Sequence, residues 1–247
     1  MSQIALITGG GNGIGRGVAH RMAVAGASVI IVDLDGAAAE TVKGEIVARG
    51  GGKAEALSVD VTRSDEIRAL VTDIGSRYGR IDVLANIAGG SLYTKRTEDF
   101  TWTEWKEVID VNLKGTFLMC REVAPIMQRQ RSGRILNTAS NYGLTGSPLR
   151  TPYAAAKAGI IAFSKSLAQE LAPHGVLVNT VAPGPTDTPR VMGKESLEAR
   201  RQRWSSIPVG RTARPEDVAE AFFFLTTSES AWITGQTFHV NGGLVMP

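Results

Sequence analysis

Thr8-Gly9-Gly10-Gly11-Asn12-Gly13-Ile14-Gly15 stands directly after the apolar run Ile4-Ala5-Leu6-Ile7 and opens a stretch with Val18, Met22 and Ala23 at helical spacing. A strand, a glycine-rich turn and a helix in that order bring free backbone N–H groups and the positive end of a helix dipole to one place. Glycines there permit a tight turn and let a pyrophosphate come close to the backbone. The motif therefore predicts a dinucleotide site lined by Gly9, Asn12, Gly13, Ile14 and Gly15. The next apolar run, Val29-Ile30-Ile31-Val32, ends on Asp33. A carboxylate at that place accepts hydrogen bonds from an adenosine ribose and repels a 2′-phosphate. No Arg or Lys stands at Gly10, Gly11 or Asn12 to receive such a phosphate, so NAD is expected over NADP. The other reading of Asp33 is a solvated turn acid beside Asp35.

Outward from this unit, short runs rich in β-branched residues alternate with amphipathic stretches. Ala56–Val59, Ile81–Ala85, Arg134–Thr138, Val176–Val181 and Thr237–Val240 read as further strands. Helices are expected near 14–25, 36–49, 64–78, 103–130, 153–172 and 215–226, the long one starting after Thr103. Alternation of this kind predicts an α/β fold: one doubly wound Rossmann domain over 1–247, with about seven parallel strands and helices on both faces. Residues 183–208 are expected to be the only long loop, and a loop of that length suits substrate binding.

The chain has 247 residues, 43% hydrophobic and 21% charged, which fits one large α/β domain and excludes wholesale disorder. A single cysteine, Cys120, excludes an intrachain disulfide, and no His/Cys group has zinc-ligand spacing, so no metal is expected. Cys120 reads as a small buried hydrophobe, and His20, His174 and His239 lack partner spacing. No apolar stretch approaches the ~20 residues of a spanning helix. The sequence is thus expected to be a cytoplasmic protein with no membrane association. The net charge of +3 is spread along the chain, which argues against a nucleic-acid partner.

Tyr153 and Lys157 are spaced to share one helix face. A free phenol titrates near ~10, too high for a base at neutral pH, and a nearby ammonium favours the phenolate. Ser140 stands directly after an expected strand. Together with the glycine motif, Asn86-Ile87-Ala88-Gly89, Asn112, Pro183-Gly184 and the tail from Ile233-Thr234-Gly235 to Gly242-Gly243, these residues resemble the short-chain dehydrogenase/reductase family over nearly the whole chain. Three positions depart from the family pattern: Ile87 where a second Asn is frequent, Ala139 where a second Ser is frequent, and Asn241 where Asp is usual.

The resemblance implies a catalytic set of Asn112, Ser140, Tyr153 and Lys157. Tyr153 would carry the proton and Ser140 would bind the substrate oxygen. Lys157 would also hold the nicotinamide ribose, and Asn112 would anchor a water relay behind it. Asp60 and Val61 would touch the adenine edge, while Asn86, Ala88 and Gly89 would form a wall beside the adenosine ribose. Pro183, Gly184, Thr186 and Thr188 would grip the carboxamide, unless the two threonines are simple turn residues. The implied activity is NAD-dependent hydride transfer between nicotinamide and a small-molecule secondary alcohol or ketone. A 3-oxoacyl thioester (acyl-carrier-protein) reductase is the alternative within the class, and an idle NAD-binding regulator is the alternative outside it. Arg150 and Arg190 either clamp an anionic group of the substrate or are solvated loop cations. Surplus apolar residues on helices 103–130 and 153–172 (Val111, Leu113, Phe117, Leu118, Ile160, Ile161, Phe163, Leu167), with the family habit, imply a homotetramer through these helices. Trp102 and Trp105 suit either an interface or a substrate contact.

Overall fold

The computed structural model describes residues 2–192, 196, 198 and 204–247, and of 190 and 192 the backbone only. Among them are parallel strands β1 (Ile4–Thr8), β2 (Ser28–Asp33), β3 (Ala54–Ser58), β4 (Val83–Asn86), β5 (Gly133–Thr138), β6 (Val176–Pro183) and β7 (Thr237–Val240), in the order β3-β2-β1-β4-β5-β6-β7. The chain winds outward from β1 to β3 and then crosses back to β4. The segments leaving β1 and β4 therefore part in opposite directions, and a crevice opens at the carboxyl ends of these strands.

The strands are buried on both faces, which explains their nearly continuous apolar runs. Ile4, Leu6, Ile30 and Val32 pack with α3 (Ser64–Tyr78), α5 (Gly115–Gln130) and α7 (Thr151–Leu171). Ala5, Ile7, Val29 and Ile31 face α1 (Gly13–Val24), α2 (Gly36–Ala48) and α9 (Pro215–Phe224). Local chemistry sets the helix ends. The Asp35 carboxylate accepts the Ala38 N–H at 3.0 Å to start α2. Gly79, at φ 69°, ends α3 in the left-handed conformation that glycine adopts without strain. The short helices α6 (Tyr142–Thr145) and α8 (Pro189–Met192) complete the set.

Several boundaries differ from the sequence expectation. The expected helix 103–130 is two helices, α4 (Trp102–Ile109) and α5, joined by a π-helical turn over Asp110–Lys114. It also starts earlier: Thr101, not Thr103, caps it, in a reciprocal capping box with Glu104. The stretch 183–208 carries the short helix α8, and Ile87–Arg96 is a further long segment without regular structure. Strand β3 starts at Ala54 because it pairs in register with Val29 of β2. His20 does have a partner: its Nε2 lies 2.7 Å from Glu45 Oε2, across from α1 to α2.

Beneath the carboxyl end of the sheet lies a buried polar network. Asn137 is fully buried on β5, accepts from Asn86 Nδ2 at 2.9 Å and donates to Ser164 Oγ at 2.9 Å. Asn86 Nδ2 also approaches Cys120 Sγ at 3.4 Å, and burial pushes the Cys120 thiol up to about 12. The network joins β4, β5, α5 and α7 directly below the crevice. Replacing Asn137 with the similarly shaped Leu leaves the Asn86 amide and the Ser164 hydroxyl without this partner, at an expected cost of about 2–4 kcal/mol. Urea unfolding of Asn137→Leu measures it, and a loss under ~0.5 kcal/mol would show that these groups find other partners.

Candidate active site

Three loops meet at the crevice, and glycine is what lets them approach. A Cβ on Gly9 would stand 2.8 Å from Ala88 Cα, one on Gly15 2.0 Å from the Gly9 oxygen, and one on Gly13 2.9 Å from Thr188 Cγ2. Thr8 then ties the first loop to the second: its Oγ1 accepts from Ile87 N at 3.1 Å and from Ala88 N at 3.2 Å. Asp33 ties the first loop to β2. Its Oδ2 accepts from Gly11 N at 2.9 Å and its Oδ1 from Asp35 N at 3.1 Å. The carboxylate is therefore held in place at the strand end with lone pairs to spare, rather than waving in solvent.

The cradle fits a dinucleotide. Helix α1 starts with no side-chain cap on Asn12 and no acidic residue in its first turn, so no carboxylate neutralises the N–H groups a pyrophosphate would meet. Arg16, the nearest cation on α1, is committed to Glu45 at 2.9 Å and is not offered to a 2′-phosphate. On the adenine side, Asp60 Oδ1 accepts from Thr62 N at 2.8 Å and Val61 packs against Gly115. Thr186 is buried and donates to the Gly184 carbonyl at 3.0 Å, while Gly184 N donates to Val240 O at 2.9 Å. The Pro183-Gly184 turn is thus pinned to β7, and Thr188 comes over Gly13.

Two asparagines of the expected site spend their side chains on the protein itself. The Asn86 side chain turns down to Asn137 and Cys120, which leaves its backbone beside Ala88 and Gly89. Both amide protons of Asn112 are taken, by Gly90 O at 3.1 Å and Val108 O at 2.9 Å, and its Oδ1 accepts from Gly90 N at 2.9 Å. Its side chain thus clamps the Ile87–Arg96 segment through Gly90. The π-helical turn swings it into that position, and Gly89 makes room: a Cβ there would lie 2.4 Å from Asn112 Oδ1. π-helical turns of this kind gather at functional sites.

Lys157 lies on α7 and is 3% exposed, with Nζ donating to the Thr138 carbonyl at 2.8 Å at the end of β5. Its nitrogen is 5.5 Å from the centroid of the Tyr153 ring. No carboxylate offsets the burial, which pushes the ammonium down to about 7. Ser140 follows β5, and its Oγ accepts from Tyr142 N at 3.2 Å. The Tyr142 and Tyr153 rings meet edge to face at 6.5 Å. Asn241 ties the rim together: its Nδ2 donates to Asn141 Oδ1 at 3.2 Å and to Val245 O at 2.8 Å, and its Oδ1 accepts from Gly243 N at 2.9 Å. An Asp at that position could make neither donation. Ser140, Tyr153 and Lys157 therefore gather beside the cradle. The Arg190 side chain and much of the expected 183–208 loop lie outside the described residues. Thr8, Asn137, Tyr142 and Asn141 were not singled out from sequence. Thr8 carried a signal in its place between strand and glycine turn, whereas the other three are defined by neighbours distant in the chain.

A family model described as enoyl-(acyl carrier protein) reductase matches residues 9–245. A 3-oxoacyl-(acyl-carrier-protein) reductase of Synechocystis sp. is 41% identical over 253 aligned positions, covering 99% of this chain and 98% of that protein. The 3-oxoacyl-(acyl-carrier-protein) reductase FabG of Thermotoga maritima is 40% identical, with 99% and 98% covered. The crystal structure of gox2181 superposes with a TM-score of 0.92 at 33% identity, covering 98% of this chain and 95% of that one. Among the described residues, no helix is long and apolar enough to cross a membrane.

The buried Lys157 makes stability depend on pH in a defined direction. The folded ammonium titrates at about 7, whereas an unfolded lysine titrates near ~10.4. Between these values the unfolded chain holds a proton that the folded chain has lost, so stability rises with pH across the window, by up to ~1.4 kcal/mol per unit. Below about 7 both forms are protonated and the dependence ends. In thermal unfolding of the cofactor-free protein from pH 6 to 10, the wild type is expected to gain on Lys157→Met from pH 7 upward. Parallel curves would mean that Lys157 titrates like a solvated lysine.

Proposed function

This chain belongs to the short-chain dehydrogenase/reductase family and is an oxidoreductase, and on that footing we propose that it interconverts 3-oxoacyl and 3-hydroxyacyl thioesters with a nicotinamide cofactor. The observation that carries the reading is the meeting of Ser140, Tyr153 and Lys157 beside the glycine cradle, in a chain whose full-length relatives at about 40% identity are named 3-oxoacyl-(acyl-carrier-protein) reductases. These names favour the thioester over the unspecified secondary alcohol that the sequence alone suggested, and an acyl carrier protein is the partner they suggest.

Gly9, Asn12, Gly13, Ile14 and Gly15 would hold the pyrophosphate and Asp33 the adenosine ribose. Asp60, Val61, Ala88 and Gly89 would border the adenine side, and Pro183, Gly184, Thr186 and Thr188 the nicotinamide side. When bound, the nicotinamide supplies or accepts the hydride. Ser140 Oγ uses its lone pair on the Tyr142 N–H, which leaves the hydroxyl proton to be donated to the substrate carbonyl. The Tyr153 phenol stands to give that same oxygen its proton in reduction and to take it back in oxidation. Lys157, held at the end of β5 by Thr138, favours the phenolate left behind, because a buried ammonium and a phenolate relieve one another's desolvation. Asn112 keeps the facing segment at its distance through Gly90.

Asp33 supports NAD(H) as the cofactor. A 2′-phosphate would meet a held carboxylate with no described cation free beside it. This observation also favours a second reading, in which the enzyme runs towards oxidation of a hydroxy compound with NAD.

Initial rates with 3-oxobutanoyl thioesters of coenzyme A and of acyl carrier protein test the main reading, and the absence of turnover with either cofactor would overturn it. Tyr153→Phe removes only the hydroxyl and is expected to lower the rate by ~10²–10⁴ while cofactor binding persists. Retention of a tenth of the rate would place the proton elsewhere. For the cofactor, Asp33→Asn keeps an acceptor for Gly11 N but removes the charge. The wild type is expected to bind NADH at least tenfold more tightly than NADPH, and the Asp33→Asn variant to narrow that gap; equal binding by the wild type would refute the assignment.

A further inference from the structure

Arg150 is the cation that the proposed reaction leaves unused. It stands at the N-cap of α7, three residues before Tyr153, and its guanidinium lies 5.8 Å from the centroid of the Tyr142 ring. That ring meets Tyr153 edge to face at 6.5 Å, and Tyr142 N is bound to Ser140 Oγ. A single aromatic ring therefore separates the Arg150 charge from the proton-carrying phenol and stands two residues from the hydroxyl that would bind the reacting oxygen.

Three further observations bear on this arginine. Arg150, like Arg49, Arg129, Arg131 and Arg134, makes no ion pair among the described residues, and of these five it is the one whose guanidinium packs on Tyr142. The cations on the facing segment are already neutralised: Lys95 is paired with Glu104 and Arg96 with Glu98. The backbone is also bent to present Arg150. Leu149, a half-exposed leucine, holds φ at +64°, a left-handed conformation costing a branched residue roughly 1–2 kcal/mol. It is kept there by Lys95 N donating to Leu149 O at 2.9 Å, with Thr97 and Thr151 hydroxyls in contact at 3.3 Å just beyond. Strain maintained in this way beside a reactive group is characteristic of binding sites.

We propose that Arg150 is the specificity-determining cation of this site and that the preferred substrate carries an anionic group, a carboxylate or a phosphate, which its guanidinium receives. The assignment deepens the reading of the chain as a 3-oxoacyl reductase and rests on it for the reacting end of the substrate. Guanidinium suits the task because its planar fork meets either anion in two parallel hydrogen bonds. The Tyr142 ring holds the fork by its face and leaves its N–H edge for the ligand. A carboxylate close to the ketone and the phosphate of a thioester carrier arm are two sources of the same chemistry.

Matched pairs of ligands decide it. Acetoacetate and its ethyl ester differ only in the carboxylate, and 3-oxobutanoyl-coenzyme A and its N-acetylcysteamine analogue differ in the phosphate-bearing arm. Calorimetric titration into the wild type, Arg150→Met and Arg150→Lys reads binding directly. At least one anionic member is expected to bind the wild type tenfold or more tightly than its neutral counterpart. That preference should vanish in Arg150→Met, which keeps an apolar stem on Tyr142, and return in part in Arg150→Lys. Which pair responds identifies carboxylate or phosphate. Equal affinity of the wild type for both members of each pair, or an undiminished preference in Arg150→Met, overturns the assignment. Should the preference hold while neither thioester is turned over, the thioester reading fails and the role of Arg150 stands.

Discussion

A lysine amine buried to 3% exposure, its Nζ donating to a backbone carbonyl, is a demanding thing to build, and the architecture of this site follows from it. Burying a charge costs stability unless something compensates, and here the Thr138 carbonyl at the end of β5 and the Tyr153 ring are what Lys157 meets. That arrangement requires α7 to lie tightly between the sheet and α6: Ala156 is fully buried on α7, and a Cβ on Gly143 of α6 would stand 2.8 Å from the Lys157 backbone. It also requires a rigid floor, which the Asn86, Asn137 and Ser164 network provides. Stability is spent here to keep an amine whose proton is loosely held next to a phenol, and that pairing is what chemistry on an alcohol or ketone needs.

The cofactor side obeys a different constraint, the close approach of backbones. The loops after β1, β4 and β6 converge at the carboxyl edge of the sheet where no Cβ intervenes, at Gly9 against Ala88 and at Gly13 against Thr188, while Gly15 and Gly89 make room for Gly9 and Asn112. Convergence then lets single side chains serve two purposes. Thr8 fastens two loops with one hydroxyl, and Asp33 fastens the glycine loop to the end of β2. Asn112 fastens the segment after β4, and Asn241 gathers the ends of β5, β6 and β7 with the tail. The rim is thus a set of short polar bridges over an apolar double core, by which the loops are held both to the sheet and to one another.

Between these two halves the aromatic pair Tyr142 and Tyr153 joins α7 to the Ser140 turn and to Arg150. The relatives share nearly the whole length of the chain, and the local features that bear on its chemistry are an acid at the end of β2, an amide at 241 and a cation ahead of α7.

Periodicity and turn chemistry in the sequence alone pointed to the strand and helix alternation, the parallel sheet, the glycine cradle with Asp33, and the spacing of Tyr153 and Lys157, because each is written in a local pattern: an apolar period, a glycine turn between strand and helix, an acid closing a strand, or two residues one helical turn apart. Element boundaries moved where pairing with a distant strand set them, as at Ala54, or where a cap lay outside the apolar pattern, as at Thr101. The π-helical turn at Asn112 was invisible, since the Gly90 contact that it serves joins segments 22 residues apart. The inward turn of Asn86, the hub at Asn241 and the placement of Arg150 across Tyr142 were equally beyond reach. Each is a contact between residues far apart in the chain or on separate turns, and only the packing of helices on the sheet decides which of many possible polar partners a buried or rim-lying group will meet.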